Sequence, residues 1–215
     1  MTESATGLVL RVRPLTETSL IIHWLTPGLG RIATVAKGAR RAKSPFAGKL
    51  DLFYLADFSF SRSRRSDLHT LREASLRETH AALRTDILKL QQAAYATNFI
   101  EQATETETPL PAIYELLREF LGCLCREKTA PQLVFAFELK LLRELGLGPD
   151  LMEANLAAGT KKIAGILAQK DWTAGGRLKL TAAQVTELRQ FLHGFLIFHM
   201  ERLPKGRAAA LAGDL

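Results

Sequence analysis

The fold is decided by one stretch near the start of the chain, residues 18–36, which reads TSLIIHWLTPGLGRIATVA. Its first part, residues 18–25, is a nearly continuous apolar run of strand length. Thr26-Pro-Gly-Leu-Gly30 then supplies turn residues, and the β-branched run of residues 31–36 returns as a second strand. The stretch therefore predicts a β-hairpin.

Strands on both sides extend this hairpin into a small sheet. Residues 8–13 partly alternate between apolar and basic side chains, and Pro14 ends them. Residues 52–60 are aromatic and alternate, and a weaker strand or turn follows near residues 68–76. One face of the aromatic strand carries Leu52, Tyr54, Phe58 and Phe60. About five short strands without a long helix favour a closed barrel, because closure removes exposed edges, and the five-stranded OB-fold is the leading candidate.

The remainder of the chain has the pattern of helices. Good helix formers, with apolar residues at three- and four-residue spacing, are separated by Pro- and Gly-containing breaks. The predicted helices are residues 79–102, 112–127, 131–145 and 182–202, the last with Thr181 as its N-cap. The pattern of residues 150–180 is mixed, and residues 208–215 are expected to fray. The sequence thus predicts an α+β chain with an OB-fold domain (1–78) and an all-helical domain (79–215).

Basic charge is concentrated in the first third of the chain. The whole sequence has 29 Lys+Arg and 22 Asp+Glu, a formal net charge of +7. Residues 1–72 hold 12 Lys+Arg and 5 Asp+Glu, so they carry all of the excess, and the remaining residues are neutral. Such an asymmetry indicates a nucleic acid or an anionic membrane as the partner of one segment. No apolar run reaches the roughly 18 residues of a membrane span.

The densest basic run is KGARRAK (37–43), which has four cations in seven residues, and no acid occurs between Glu17 and Asp51. Neighbouring strands and loops add further cations, so the region is predicted to bind a polyanion. The candidate residues are Arg11, Arg13, Arg31, Lys37, Arg40, Arg41, Lys43, Lys49, Arg62, Arg64 and Arg65. Aromatic residues would stack on bases if they faced outward. Packing in the barrel core is the favoured interpretation for Trp24 and for most of Phe53, Tyr54, Phe58 and Phe60.

No pattern in the sequence indicates an enzyme. Cys123 and Cys125 are two apart within a predicted helix, so they point in different directions and are interpreted as ordinary thiols. The five histidines show no metal-binding spacing, and the chain has neither a nucleophile elbow nor a complete phosphate-binding loop. We therefore predict a protein that binds its partners without catalysis and without a cofactor.

Six further stretches carry a likeness to known proteins: LRVRPLTETS (10–19), TPGLG (26–30), AKGARRAKS (36–44), LLREFL (116–121), FAFELKLL (135–142) and LGLGPDL (145–151). Together they resemble the RecO family of bacterial recombination mediators. The likeness runs in order over most of the chain, from about residue 8 to about residue 200. The third and the sixth stretch are its most specific parts.

This resemblance implies a DNA repair factor that is not an enzyme. The family binds single- and double-stranded DNA and anneals complementary strands, including strands coated by single-stranded DNA-binding protein (SSB). With its partner RecR it helps to load the recombinase at gaps, and it docks the acidic, apolar C-terminal tail of SSB on its helical domain. In this chain the candidate cations for the rim of that docking pocket are Arg118, Arg126, Lys140, Arg143 and Arg189.

One departure from the family concerns zinc. Many members carry two Cys-x-x-Cys pairs after the LGLxPDL run. Here residues 152–159 read MEANLAAG and contain no cysteine, and residues 171–176 contain none either. We therefore predict that this region holds no zinc and is stabilised by packing.

Two other functional classes stay open from the sequence: an RNA-binding OB-fold factor, for instance a ribosome-associated one, and a non-catalytic adaptor that binds no nucleic acid. The first residues, MTESAT, carry an acid and lack the basic segment of a signal peptide. The expected location is therefore the cytoplasm, in association with the nucleoid and without membrane contact.

Overall fold

The computed structural model describes residues 2–169, 172 and 178–212. The chain forms two units, the first from Met1–His80 with Glu105–Glu115 and the second from Ala81–Thr104 with Leu116–Leu215. The composition places a boundary after residue 78, but it does not reveal that Glu105–Glu115 returns to the first unit. That return depends on contacts between residues far apart in sequence.

The first unit is a closed barrel of five strands. They are β1 (Thr2–Pro14), β2 (Leu20–Thr26), β3 (Gly30–Ala36), β4 (Leu55–Ser61) and β5 (Leu68–Glu78). Their order around the barrel is β1-β2-β3-β5-β4, and the β3–β5 pair is parallel whereas the other pairs are antiparallel. The predicted OB-type barrel, with helices after it, is confirmed.

Strand β1 closes the barrel because it pairs on both sides. Its first half, from Thr2 to Leu8, lies along β4, and its second half, from Leu8 to Pro14, lies along β2. The sequence predicts a strand only from residue 8, since the polar segment TESATG has no alternation of apolar and polar residues. Pairing with β4, rather than local pattern, makes that segment a strand.

The interior of the barrel is aromatic. The rings of Trp24 and Phe58 stack with centroids 4.1 Å apart, and the Trp24 Nε1–H donates a 2.8 Å hydrogen bond to Thr34 Oγ1. Phe53, Phe58 and Phe60 are buried as well, so the core-packing interpretation of the aromatic residues is confirmed for them. Leu52 does not share their face: it is 38% exposed, because the strand begins only at Leu55.

Helices follow the barrel. A short 3₁₀ helix (Ala81–Thr85) precedes α1 (Ile87–Ala103), α2 (Pro111–Arg126), α3 (Pro131–Glu144), α4 (Ala158–Leu167), α5 (Ala182–Met200) and α6 (Arg207–Ala210). The first helix begins later than residue 79 because the Asp86 side chain accepts a hydrogen bond from the Leu88 N–H and caps it there. The predicted N-cap Thr181 is confirmed, and with Gln184 it forms a capping box.

Helix α3 is the most buried element of the second unit. Every residue from Leu133 to Leu142 is buried, including the charged Glu138 and Lys140. Around it, the Phe137 ring contacts the rings of Phe99 and Phe120 at centroid distances of 6.4 and 4.7 Å. None of the helices in the described part of the chain is both long and apolar enough to cross a membrane.

The end of the chain differs from the expected frayed tail. Arg207, at the start of α6, is buried, and its Nε and Nη2 lie 2.6 and 3.0 Å from the two carboxylate oxygens of Glu138. The Tyr95 hydroxyl donates a 2.5 Å hydrogen bond to the same carboxylate, and burial raises the pKa of Tyr95 well above its usual value. This buried ion pair holds residues 207–211 against the helices. Residues 213–215 lie outside the described part.

Candidate nucleic-acid interface

The segment after β3 is a folded loop that carries cations on its surface. Successive turns bond the amide groups of residues 39, 41, 44, 47 and 49 to carbonyl groups three residues earlier. The buried ring of Phe46 belongs to the barrel core and anchors the loop. The four cations of the densest run are all exposed: Lys37, Arg40, Arg41 and Lys43.

This loop is attached to the turn between β1 and β2. The Arg40 N–H donates a 3.0 Å hydrogen bond to the Thr18 carbonyl oxygen, and Arg40 Nη1 lies 3.4 Å from the Thr16 carbonyl oxygen. Lys37 and Arg41 line a shallow depression of about 410 Å³ together with residues of that turn. Two loops therefore line the depression, and the loop after β3 supplies its cations.

Two arginines of β1 extend the same surface. Arg13 pairs with Ile21 in β2, which pairs with Val35 in β3. With strands spaced about 5 Å apart, Arg13 lies about 10 Å from Val35, which is two residues before Lys37. Arg11 follows on the same face of β1. We call the resulting set the loop-end cluster: Arg11, Arg13, Lys37, Arg40, Arg41 and Lys43.

A second set of predicted cations lies at the opposite end of the barrel. Strand β5 begins at Leu68, beside Ala33 of β3 and parallel to it, so residues 62–67 lie toward the start of β3. Lys37 comes six residues after Arg31 along β3, a separation of about 20 Å. We call this set the β4–β5 cluster: Arg31, Arg62, Arg64 and Arg65. The structure thus divides the predicted surface into two.

Lys49 belongs to neither cluster. It lines a cleft of about 800 Å³ that is formed by the loop after β3 and by segments of β1, β4 and β5. Arg72 and Glu73 of β5 line the same cleft. The local charge around Lys49 is therefore mixed.

The β4–β5 cluster contacts acids that the sequence did not associate with it. Arg62 Nε and Nη2 lie 2.8 and 3.2 Å from the two carboxylate oxygens of Glu3, and Arg62 Nη1 lies 3.1 Å from Glu107 Oε2. The hydrogen bond from Arg62 lowers the pKa of Glu3, and the same bond raises the pKa of Arg62. His69 Nε2 lies 2.9 Å from the other Glu107 oxygen, Oε1. No sequence signal links Glu107 to residues about 40 positions earlier.

The loop-end cluster has a different electrostatic setting. Between residues 11 and 49 the sequence contains a single acid, Glu17, which lies exposed in the β1–β2 turn. Acids therefore lie against Arg62 at one end of the barrel, whereas at the other end the exposed run Lys37, Arg40, Arg41 and Lys43 has no acid between Glu17 and Asp51 in the sequence. Of the two clusters, the loop-end cluster is the stronger candidate for a polyanion.

The five cations predicted for a tail-docking pocket lie on three helices of the second unit. Arg118, Arg126, Arg143 and Arg189 are exposed. Lys140 departs from the prediction: it is 2% exposed, and its Nζ lies 3.7 Å from the centroid of the Trp172 ring. It is buried because α3 is surrounded by other helices, so it does not belong to a surface rim.

Neither of the two cysteines is in a disulfide. Cys123 is buried and Cys125 half-buried, and burial raises the pKa of the Cys123 thiol. Within residues 2–169, 172 and 178–212 no three His, Cys, Asp or Glu side chains come together in a way that could hold a metal ion. The prediction that the region holds no zinc also concerned residues 171–176, which except for Trp172 lie outside the described part of the chain.

Two family models match consecutive parts of the chain. The model described as "Recombination protein O N terminal" matches residues 1–80, and "Recombination protein O C terminal" matches residues 84–155. The first match coincides with the barrel and the second begins in the 3₁₀ helix before α1. Together the two models cover more than half of the chain.

Curated relatives called DNA repair protein RecO are similar to about two thirds of the chain. The protein of Rhodopirellula baltica is 31% identical over 143 residues, which cover 66% of this chain and 53% of the relative. That of Exiguobacterium sibiricum is 32% identical over 151 residues, with 70% and 60% covered. That of Alkaliphilus metalliredigens is 34% identical over 146 residues, with 67% and 58% covered. The matches therefore span about half to three fifths of the relatives' length.

Proposed function

The chain belongs to the RecO family, and from that membership we propose that it is a DNA repair and recombination mediator. In this proposal it binds single- and double-stranded DNA, anneals complementary strands and acts with RecR to promote recombinase loading at gaps. It works by binding rather than by catalysis, in the cytoplasm where the chromosome lies.

The loop-end cluster is the observation that carries the proposal. Five of its six cations are exposed, four of the six lie on the loop after β3 and two on β1, and one acid occurs among them in the sequence. A basic surface of this kind releases counterions when it binds a phosphate backbone, which makes affinity strongly dependent on salt. OB-type barrels bind extended polyanions through their loops and open faces.

Annealing follows from the same surface. Cations that neutralise phosphates on two strands reduce the repulsion between them and raise their local concentration. Because Phe53, Phe58 and Phe60 are buried in the barrel, they do not stack on bases, and the proposed contacts are to the backbone. Contacts of that kind are independent of sequence, as annealing of any complementary pair requires.

The test is charge reversal at the loop-end cluster with a matched control. We expect a variant with Arg40→Glu, Arg41→Glu and Lys43→Glu to lose annealing of SSB-coated complementary oligonucleotides. The slope of log affinity against log salt for single-stranded DNA should become shallower by about 2, because about 0.7 is lost for each phosphate contact. Stopped-flow annealing and fluorescence anisotropy measure the two effects.

The control variant changes the net charge by the same amount, but at positions outside the barrel unit. Lys128→Glu, Lys162→Glu and Lys179→Glu reverse three exposed cations outside the barrel unit. Annealing that falls equally in both variants would reflect net charge alone and would contradict the assignment to the loop-end cluster. Competition between single-stranded DNA and RNA of the same sequence separates this proposal from an RNA-binding role.

We further propose that the second unit docks the acidic, apolar C-terminal tail of SSB. The remaining rim candidates are Arg118, Arg126, Arg143 and Arg189, without Lys140 because it is buried. Annealing of strands coated with SSB that lacks its tail tests this step. Equal rates with complete and tailless SSB would argue against tail docking while leaving DNA binding intact.

A further inference from the structure

The β4–β5 end of the barrel contains two preorganised donors that bind an anion. Two donors, His69 Nε2 at 2.9 Å and Arg62 Nη1 at 3.1 Å, hold the two oxygens of one carboxylate, that of Glu107. The His69 ring is 2% exposed, and it stacks on the Phe60 ring with centroids 5.2 Å apart. A buried and stacked ring cannot rotate away, so it is a fixed donor.

The hydrogen bonds around His69 assign its tautomer. The Ser63 N–H points to Nδ1 at 3.4 Å, so Nδ1 accepts and the proton of the neutral ring is on Nε2. Nε2–H therefore donates to Glu107 Oε1. The site presents one neutral N–H and one guanidinium N–H to an anion, which is how phosphate oxygens are bound by proteins.

The carboxylate reaches this site on a short segment, residues 105–109, that we call the strap. The Glu107 N–H donates a 2.9 Å hydrogen bond to the Arg31 carbonyl oxygen, and Thr106 forms a bridge with Arg31. Glu107 has a φ of 55°, a left-handed conformation that is uncommon for glutamate. Glu105, in the same strap, is exposed. The strap thus places one acid on the cluster while its neighbour faces solvent.

We propose that this is a second phosphate-binding site, and that Glu107 occupies it in place of a backbone phosphate when no nucleic acid is bound. The proposal deepens the proposed function and rests on it. Arg64 and Arg65 are exposed in the loop beside Arg62 and extend the site along a bound strand. Glu3 holds the other edge of the Arg62 guanidinium in position, so Arg62 keeps its orientation when Glu107 leaves.

The experiment compares two variants that remove the same charge from the strap. Glu107→Gln removes the charge that faces Arg62, whereas Glu105→Gln removes one that faces solvent. Binding of a fluorescent oligothymidylate is measured by anisotropy over a salt series, with thermal unfolding as a check on folding. We expect E107Q to bind at least about threefold more tightly at low salt, with a slope steeper by about 0.7, and E105Q to match the unaltered protein.

Adding Arg62→Gln to E107Q should return both affinity and slope to the unaltered values, because the donor that gained the phosphate is gone. If E107Q and E105Q behave alike, or if R62Q leaves the gain of E107Q unchanged, the inference is overturned. If inorganic phosphate at low millimolar concentration abolishes the difference in oligonucleotide affinity between E107Q and E105Q, the site binds free anions instead of a strand. Failure of the unaltered protein to bind the oligonucleotide would contradict the proposed function itself.

Discussion

At the scale of single residues, two buried charged side chains of α3 contact distant parts of the second unit. Glu138 and Lys140 lie two apart in a run of otherwise apolar residues, FAFELKLL, where a surface position is the ordinary expectation for a charged side chain. Both are buried. Glu138 is satisfied by Arg207 and Tyr95, and the Lys140 ammonium lies over the Trp172 ring. Their partners are 32 to 69 residues away, beyond the reach of local pattern.

Removing Arg207 should therefore strongly destabilise the protein. Arg207→Met leaves the Glu138 carboxylate buried with the Tyr95 hydroxyl still donating to it but without the guanidinium, and we expect a loss of about 3 kcal/mol in the free energy of unfolding. Urea denaturation followed by circular dichroism measures it. The double variant Glu138→Leu with Arg207→Met should lose less, because no charge is then left unpaired. Equal losses in the two variants would show that packing, and not the ion pair, holds α6.

At the scale of elements, the strap depends on a glycine in β3. Gly30 has a φ of 64°, and a Cβ atom there would overlap the carbonyl group of Thr108. The strap and the start of β3 therefore approach as closely as they do because residue 30 has no side chain. The sequence shows this glycine as part of a turn, but it does not show that the strap packs directly against it.

Gly30→Ala should displace the strap. We expect a lower melting temperature together with tighter oligothymidylate binding of the kind expected for E107Q, since both changes take Glu107 away from Arg62. Gly28→Ala is the matched control, because a Cβ at residue 28 meets nothing within 4 Å. Differential scanning fluorimetry and anisotropy give the two readouts. Loss of stability without any change in DNA affinity would separate the strap from nucleic-acid binding.

The sequence predicts most elements but fewer of their ends. The hairpin of β2 and β3 has an apolar run, a turn and a return strand, so it is readable locally, and the Thr181 cap is equally local. Local pattern does not predict the polar first half of β1 or the helix α4 within the mixed segment 150–180, because strand pairing and helix packing determine them. For the candidate site, composition identifies the cations, whereas the division into two clusters requires the strand order.

At the scale of the whole molecule, net charge and local hydrogen-bonded carboxylates both lower stability as pH falls. Hydrogen bonds lower the pKa of three carboxyl groups in the folded protein. The main donor is Arg62 for Glu3, Thr6 for Asp57 and Thr160 for Glu187. The folded state then binds fewer protons than the unfolded state in the acidic range. The formal charge of +7 adds self-repulsion once the carboxylates are neutralised.

Stability should therefore decrease on acidification. A lowered carboxyl pKa contributes stability that is present above the usual values of 4.5 for glutamate and 3.8 for aspartate and is lost below them. We expect the free energy of unfolding to fall between about pH 5 and about pH 3 and to recover in part at the acidic end when salt is added, because salt screens the excess positive charge. Urea titrations at several pH values measure this. A constant free energy of unfolding across that interval would contradict the assignment.

Closure of the barrel fixes the distance between the loop-end cluster and the β4–β5 cluster. Strand β3 lies within a closed, hydrogen-bonded wall from Gly30 to Ala36, so the backbone spacing of about 20 Å between Arg31 and Lys37, the residue after the strand, changes little unless strand pairs break. A single strand that touches both ends must cover that length, which is about six nucleotides at the spacing of a stacked strand. Shorter oligonucleotides reach one cluster at a time, and the closed wall thereby sets a minimum footprint for a strand held at both ends.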